Sequence, residues 1–171
     1  ISEQIGERNV VCMDMGGTSL DVSRIVEGEI QLNRGFSVRG HPVSVPGVEV
    51  ESIGAGGGSI AVLESAGDVA RLRVGPESAG SSPGPVCYGR GGEHPTVTDA
   101  NLILGILDPA VALGGEIELD LGAAAASMHT KIGEPLGQSA EEAAWGVYRV
   151  VTAQMADAVE NRAPLPKDRL L

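Results

Sequence analysis

The pattern of apolar residues changes along the chain, and this change restricts the folds that the chain can adopt. Residues 10–34 contain short apolar runs with a period of two, which predict strands joined by the Gly16-Gly17 and Glu27-Gly28 turns. Residues 96–160 instead place apolar residues three and four positions apart, which is the spacing of helices. We therefore expect an α/β fold in which a three-stranded antiparallel meander precedes at least three helices.

Residues 35–95 separate these two parts and are rich in glycine and proline. Only Val43–Val50 and Ala70–Val74 resemble strands in this insertion. The stretch Gly75–Pro95 has no periodicity, and loops of that length are either functional or disordered. Because Val86-Cys87-Tyr88 interrupts this stretch, we favour an ordered, functional loop.

Polar residues that can cap a helix mark the start of each predicted helix, and helix-breaking residues mark its end. The starts are Thr96 or Thr98, then Asp120, then Ser139, which forms a capping box with Glu142. The ends are Asp108-Pro109, Gly133 and Pro164-Leu165-Pro166.

Charge and composition exclude several classes of protein. Twelve basic and 23 acidic side chains give a formal charge of −11, which argues against a nucleic-acid or anionic-membrane partner. No window approaches the eighteen or so apolar residues of a membrane span, and Ile1–Val10 lacks the apolar region of a signal peptide. Cys12 and Cys87 make no disulfide framework, so the predicted location is the cytoplasm. The chain has no initiator Met, and we expect an excised fragment.

The candidate site is the segment Asp14-Met15-Gly16-Gly17-Thr18-Ser19-Leu20-Asp21, in which two acids flank two glycines and two hydroxyls. We call Gly16–Ser19 the first glycine turn. Glycines let backbone N–H groups approach an anion closely, and successive amides in such a turn bind phosphate oxygens. Thr18 and Ser19 can add hydroxyl donors. An acid at the end of the strand would hold Mg²⁺, directly or through water, and the metal would neutralise the phosphate. An ordinary glycine hairpin is the competing interpretation.

A second cluster of glycines, Gly54–Ser59, is here called the second glycine loop. It superficially resembles a dinucleotide fingerprint, but Ser59 occupies the third glycine position and no βαβ pattern surrounds it. It also lacks the Gly-Lys-Ser/Thr ending of a P-loop. A flexible loop and a close backbone approach to a ligand both remain compatible with this composition.

Other reactive side chains have simpler structural interpretations. A catalytic pair of Cys87 and His94 would need the two groups brought together, and a structural Cys is favoured. The scattered histidines and the lack of a Cys-x-x-Cys pair argue against zinc. Glu49 and Glu51 would share one face of a strand, as a cation site or, more commonly, a solvated face. Asp99 fits a charge in the first turn of a helix.

Taken together, the segments resemble the hydantoinase A / 5-oxoprolinase family. The resemblance lies in DMGGTSLDV from Asp14, IGAGGGSIA from Ile53, VGPESAGSSPGPVCYGRGG from Val74 and PTVTDANLILGIL from Pro95. It covers roughly residues 10–160, and the run from Val74 to Leu107 is its most specific part. It implies one half of an actin-like ATPase (ribonuclease H-like) domain, with residues 10–34 as the phosphate-binding meander, 35–95 as the glycine-rich insertion and 96–163 as the helical part.

The resemblance also implies an activity. The family's members are ATP-dependent hydrolases of cyclic amides, such as N-methylhydantoinase and 5-oxoprolinase, and related subunits belong to acetone carboxylases. Its implied mechanism is phosphorylation of a poorly electrophilic carbonyl or enolate oxygen by ATP with Mg²⁺. The expected function is therefore part of the ATP-dependent subunit of a cyclic amide hydrolase, working with a hydantoinase B-type partner subunit. The alternatives are a carboxylase subunit and a non-catalytic actin-like nucleotide-binding module.

Carried over to this chain, the resemblance implies a role for each residue of the candidate site. Asp14 would orient a Mg²⁺–water cluster, and Gly16, Gly17 and Thr18, with Ser19 beside them, would hold the phosphates. Asp21 would brace the turn. The family commonly has an Asp and a His where Glu49 and Glu51 stand here. Its second phosphate turn and its adenosine motif have no counterpart within residues 1–171, which we therefore expect to be part of a larger domain.

Overall fold

A computed structural model describes residues 2–33, 35–67, 69–110 and 118–162. The described chain divides into two units. The first contains residues 2–14, 21–52 and 156–162, and the second contains residues 15–20 and 53–155.

The first unit is built mainly from short strands. Its elements are α1 (Ser2–Ile5), β1 (Val10–Met15), β2 (Leu20–Val26), β3 (Glu29–Ile30), β4 (Leu32–Asn33), β5 (Phe36–Val38), β6 (His41–Val43), β7 (Gly47–Val48) and β8 (Val50–Ile53). Strands β1, β2 and β3 lie side by side in that order, and β8 also pairs with β2. Two further pairs, β4 with β7 and β5 with β6, are antiparallel.

The meander predicted for residues 10–34 is present in this sheet. Strands β2 and β3 are antiparallel, with Ile25 opposite Ile30, and Glu27 and Gly28 between them have φ values of 53° and 83°. Two left-handed residues in a two-residue connection form the turn that matches the twist of a hairpin, as the Glu27-Gly28 dipeptide predicts. Strands β1 and β2 are joined by only four residues, too few for the crossover that parallel strands need. The pairing of β8 with β2 was not predicted.

The second unit combines one long hairpin with helices. Its elements are β9 (Ser59–Ala66), β10 (Val69–Ser78), a 3₁₀ turn (Val86–Tyr88), α2 (Val97–Ile103), α3 (Leu121–Met128), a π turn (His129–Gly133), α4 (Glu134–Leu136) and α5 (Ala140–Arg162), of which residues 156–162 belong to the first unit. Strands β9 and β10 are antiparallel, with Leu63 opposite Leu72. Only the β10 part of this hairpin was expected from the sequence.

The helices of the second unit begin where the sequence predicts. Thr96 is the N-cap of α2 and forms a reciprocal capping box with Asp99. Asp120 accepts a hydrogen bond from the Ala123 N–H at 2.8 Å, and Ser139 and Glu142 cap each other's backbone N–H groups. A side chain that accepts from these N–H groups satisfies donors that have no partner within the helix.

The predicted helix ends are wrong in two places. Helix α2 ends at Ile103, before Asp108-Pro109, and Gly105 follows it with a φ of +70°. Gly133 does not end the alanine-rich helix, because the chain continues through the π turn and α4 to Gly137, whose φ is +67°. A Cβ atom on the buried Gly133 would lie 2.7 Å from the Gln138 carbonyl oxygen, so this glycine serves close packing instead. The predicted stop at Pro164–Pro166 lies outside the described residues.

The core of the second unit is aliphatic, as the scarcity of aromatic residues requires. One cluster contains Cys87, Leu102, Leu119 and Ala124, with Tyr88, Ile103 and Leu107 packed around it. The apolar stripe of α5 buries Ala143, Ala144, Val147 and Val151. The Gln154 side chain donates to the Val74 carbonyl at 3.1 Å, which joins α5 to β10. Within the described ranges, no helix is both long and apolar enough to cross a bilayer.

Candidate functional site

The first glycine turn lies at the surface of the second unit. The Gly16 N–H donates to the Ser19 carbonyl at 2.9 Å and closes the turn. Gly16, Gly17 and Thr18 are exposed, and Ser19 is half-buried. A Cβ atom would meet nothing within 4 Å at Gly17 and only the Ser19 carbonyl oxygen, at 3.7 Å, at Gly16. Neither glycine has a positive φ, so the turn itself does not require glycine at these positions.

The second glycine loop packs directly behind this turn. The Gly57 N–H donates to the Gly16 carbonyl at 3.0 Å, and the Gly58 N–H donates to the Gly17 carbonyl at 2.6 Å. A Cβ atom at Gly56 would lie 2.6 Å from the Thr18 backbone nitrogen, closer than real Cβ contacts come. The two glycine segments, which the sequence left unrelated, therefore form one layered structure.

This packing determines where the amides of the first glycine turn point. In a trans peptide, the carbonyl of one residue and the N–H of the next point in opposite directions. Because the Gly16 and Gly17 carbonyls face the second glycine loop, the N–H groups of Gly17 and Thr18 point away from that loop. Two neighbouring donors on an open glycine surface are a binding geometry for an anion.

The second glycine loop is in turn held from behind. The Gly57 carbonyl accepts from both the N–H and the Oγ1 of Thr98, each at 2.8 Å, in the first turn of α2. The Gly58 carbonyl accepts from the Ala79 N–H at 2.9 Å. Within the loop, the buried Ser59 hydroxyl accepts from the Gly56 N–H at 2.9 Å. The close approach of other segments of this chain accounts for these glycines, so a flexible loop is not needed to explain them.

Asp99 is a buried structural anchor for the loop that follows β10. Its carboxylate accepts hydrogen bonds from the Thr96 N–H and Oγ1, both at 2.8 Å, and from the Cys87 and Val86 N–H groups at 2.7 and 3.2 Å. Its side chain is fully buried. The first-turn charge predicted for Asp99 is thus present, and it also fixes the 3₁₀ turn onto α2.

The arrangement leaves Cys87 without a catalytic role. Its side chain is fully buried in the core, whereas His94 is exposed. Burial, followed by the nearby carboxylate of Asp99, raises the pKa of the Cys87 thiol far above neutral pH. A thiol that stays protonated is a poor nucleophile. Cys12 and Cys87 are both free, in agreement with the absence of a predicted disulfide framework.

The acids of the candidate site belong to the first unit, whereas the first glycine turn belongs to the second. Asp14 lies on β1 and is exposed, and Asp21 lies on β2 and is half-buried. Asp21 accepts a hydrogen bond from the hydroxyl of Ser52 on β8. The sequence did not predict the hydrogen bond of Ser52 with Asp21 or that of Thr98 with Gly57. No local pattern marks a hydroxyl whose partner is distant in the chain.

The structure also describes Glu49 and Glu51. Both are half-buried, and Glu49 forms an ion pair with Arg24 at 3.3 Å. This pairing favours a structural role for Glu49 over the cation site considered above. Among the described residues, no cluster of three or more His, Cys, Asp or Glu side chains is arranged to hold a metal ion. A metal at Asp14 would therefore depend on water and phosphate oxygens for its other ligands.

Comparison with known proteins gives a consistent result. The sequence profile of the family described as Hydantoinase/oxoprolinase matches residues 1–163. The chain is 45% identical to the caprolactamase subunit alpha of Pseudomonas jessenii over 94% of this chain and 23% of that protein. It is 40% identical to the acetophenone carboxylase gamma subunit of Aromatoleum aromaticum over 99% of this chain and 24% of that protein.

A solved structure supports the same relationship. The nucleotide-free structure of acetone carboxylase, from a study of ATP-dependent acetone carboxylation, matches with a TM-score of 0.82 and 34% identity. The match covers 94% of this chain and 22% of that one. The chain thus spans less than a quarter of the length of the relatives that it matches.

Proposed function

Because this chain belongs to the hydantoinase/oxoprolinase family, we propose that it is part of an ATP-dependent subunit that activates a carbonyl substrate by phosphorylation. In this proposal the first glycine turn binds phosphate oxygens of ATP. The turn and the second glycine loop would belong to one half of an actin-like ATPase domain. A cytoplasmic location is part of the same proposal.

One observation carries the proposal: the carbonyls of Gly16 and Gly17 are both occupied by the second glycine loop. The N–H groups of Gly17 and Thr18 are therefore turned away from that loop before any ligand arrives, and both residues are exposed. Donors held in advance do not have to reorganise when charge develops on a phosphoryl group. At Gly17 the absence of a side chain leaves open the space that a phosphate oxygen needs. The Thr18 and Ser19 hydroxyls can add further donors.

Asp14 fits the role of a magnesium-positioning residue. It is an exposed carboxylate near the end of β1, two residues before Gly16 in the chain. Mg²⁺ at phosphate sites keeps several waters and takes only one or two carboxylates, so one Asp is compatible with it. Asp21, held by the Ser52 hydroxyl, would brace the start of β2.

The chemistry that ATP supplies is a phosphoryl group, which turns a carbonyl or enolate oxygen into a better leaving group. The contribution of this chain is binding and orientation, because phosphoryl transfer depends mainly on positioning and on stabilisation of charge. The Gly17 and Thr18 amides would hold the phosphate oxygens, and Asp14 would hold the water shell of the metal.

Relatives of two reaction classes match the chain, and we propose cyclic amide hydrolysis as the activity. Caprolactam is a cyclic amide, and a caprolactamase subunit is 45% identical to this chain. ATP-dependent carboxylation is the alternative, supported by the acetophenone and acetone carboxylases. A non-catalytic nucleotide-binding module is a third candidate. The caprolactamase and acetophenone carboxylase relatives are both named as subunits, which supports a partner subunit, and we propose one of the hydantoinase B type.

Valine at Gly17, in the full-length subunit with its partner subunits, tests the proposed phosphate site. The branched side chain would fill the space in front of the two outward amides, so we expect a loss of ATP-dependent phosphate release of about 100-fold. Asp14→Ala should cause a comparable loss. Phosphate release and calorimetric binding of Mg-ATP measure both effects, and circular dichroism checks the fold.

Gly35→Val is the matched control for this substitution. Gly35 is also exposed, a Cβ atom there would meet nothing within 4 Å, and its φ is not positive. Its variant should retain full turnover. If Gly17→Val also retained full turnover, the first glycine turn would have no part in the mechanism.

A further inference from the structure

Helix α2 reaches the first glycine turn through a single residue of the second glycine loop. The N–H and Oγ1 of Thr98 both donate to the Gly57 carbonyl at 2.8 Å. The Gly57 N–H in turn donates to the Gly16 carbonyl at 3.0 Å. Gly57 is therefore hydrogen-bonded on both sides, to the helix through its carbonyl and to the turn through its N–H.

We propose that Thr98 is a positioning residue for phosphate binding. By holding Gly57, it fixes the direction of the Gly16 carbonyl, and thereby the direction of the Gly17 N–H in the same peptide plane. The orientation of the phosphate-binding amide would thus be set from helix α2 rather than by the turn alone. This inference rests on the proposed function of the first glycine turn.

The packing leaves little room for Thr98 to move without moving the turn. A Cβ atom at Gly57 would lie 2.9 Å from the Thr98 Oγ1, and one at Gly56 would lie 2.6 Å from the Thr18 nitrogen. The helix, the loop and the turn are therefore stacked at backbone contact distance. Close-packed layers of this kind transmit a displacement instead of absorbing it.

Thr98 is itself held firmly in place. It follows the N-cap Thr96 and precedes Asp99, whose carboxylate completes the capping box and also binds the Cys87 N–H. A parallel connection runs from the Ala79 N–H to the Gly58 carbonyl, and from the Gly58 N–H to the Gly17 carbonyl. That second connection uses only backbone groups, whereas the connection through Thr98 includes a side-chain hydroxyl that a substitution can remove selectively.

The test compares three substitutions in the full-length subunit with its partner subunits. Thr98→Val removes the Oγ1 donor and keeps the backbone N–H and the side-chain volume. Thr98→Ser keeps the hydroxyl and removes only the methyl group. Thr152→Val makes the same chemical change on the exposed face of α5, away from the glycine segments, and controls for it.

We expect Thr98→Val to weaken binding of Mg²⁺ with a non-hydrolysable ATP analogue about tenfold by calorimetry, which is the size of effect that one hydrogen bond gives. Thr98→Ser should restore most of the affinity, and Thr152→Val should not change it. Without nucleotide, hydrogen–deuterium exchange should become faster in residues 54–59 of Thr98→Val and return towards normal in Thr98→Ser. If Thr98→Val does not fold, Thr98→Ala tests the same loss of the hydroxyl with a smaller side chain.

The outcomes separate this inference from the function on which it rests. If Gly17→Val abolishes nucleotide binding while Thr98→Val and Thr98→Ala bind as tightly as Thr152→Val, Thr98 has no positioning role. A lower melting temperature without a change in affinity or in exchange at residues 54–59 would likewise overturn that role. If Gly17→Val itself binds the nucleotide normally, the proposed phosphate site is wrong.

Discussion

Gly17 and Gly56 both lie in glycine-rich turns, yet the space around them differs completely. A Cβ atom would meet open space at Gly17 and the Thr18 backbone, 2.6 Å away, at Gly56. Neither residue has a positive φ, so conformational freedom explains neither glycine. Gly56 is required by the packing of this chain, whereas no contact within the described residues requires glycine at Gly17.

Alanine at each of these glycines should therefore have opposite effects on stability. We expect Gly56→Ala to lower the free energy of unfolding by about 1–3 kcal/mol, because its methyl group must displace backbone. Gly17→Ala should be neutral or stabilising by about 0.5 kcal/mol, since alanine restricts the unfolded chain and fits the folded one. Urea unfolding followed by circular dichroism measures both. Equal destabilisation by the two variants would contradict the packing described here.

For single residues, the sequence predicted the interactions whose two partners lie close together in the chain. The N-caps Thr96, Asp120 and Ser139 were predictable because each one bonds to an N–H three residues ahead. The partnership of Gly57 with Gly16 was not, because a hydrogen bond between two loops leaves no local pattern. The roles of Asp14, Asp21 and the first glycine turn in nucleotide binding stay predictions, which the nucleotide-binding experiment addresses.

The joint between α2 and the loop after β10 depends on one buried carboxylate. Asp99 accepts from two N–H groups of the 3₁₀ turn and from the backbone and hydroxyl of Thr96. All four partners are donors, so an acceptor-only side chain suits the position. The same side chain thus caps the helix and attaches the preceding loop to it.

Replacing Asp99 with Asn would direct an NH₂ group at these donors. We expect the loss to be about 2–4 kcal/mol of unfolding free energy, because a buried group loses its acceptor and a donor is left unpaired. Thermal denaturation measures the change. Asp120→Asn is the control, because Asp120 is an exposed N-cap and Asn caps helices about as well as Asp. Similar melting temperatures for the two variants would show that Asp99 is an ordinary cap.

Predictions for whole elements were accurate for the helix starts and poor for the strands of the insertion. Strand β9 begins at Ser59, directly after three consecutive glycines, and its pairing with β10 is what makes it a strand. Gly133 was mistaken for a helix end because its role, close approach to Gln138, is visible only once the chain has folded. Strand pairing and close packing decided these elements, and the propensities of the residues themselves do not reveal either one.

At the scale of the whole molecule, the chain contains part of what its relatives contain. It matches less than a quarter of the caprolactamase and acetophenone carboxylase subunits. Nucleotide sites of the proposed kind stabilise transferred phosphate from more than one side. Residues 1–171 can therefore fold without being able to catalyse phosphoryl transfer.

We expect the isolated 171-residue chain to fold but not to hydrolyse ATP. The hydrophobic cluster of the second unit and the buried face of α5 supply a core. Under the proposed function, the first glycine turn would supply only one wall of the phosphate site. Affinity for Mg-ATP should be on the order of millimolar, or about 4 kcal/mol. Calorimetry and a phosphate-release assay measure both properties. Micromolar binding, or turnover that disappears in Asp14→Ala, would identify a self-sufficient ATPase.

Gly16 is held by a hydrogen bond from Gly57, and Gly57 by hydrogen bonds from Thr98. The order in which these residues are synthesised therefore matters for the orientation of the first glycine turn. Thr98 lies 41 residues beyond Gly57 in the chain, and Gly57 itself comes well after Gly16. A ribosome therefore releases the first glycine turn long before the residues that orient it. The turn would leave the exit tunnel without its supports and gain its final orientation only after α2 has been synthesised. Nascent chains stalled before residue 98 should consequently lack the nucleotide-binding geometry, however well their earlier strands have formed.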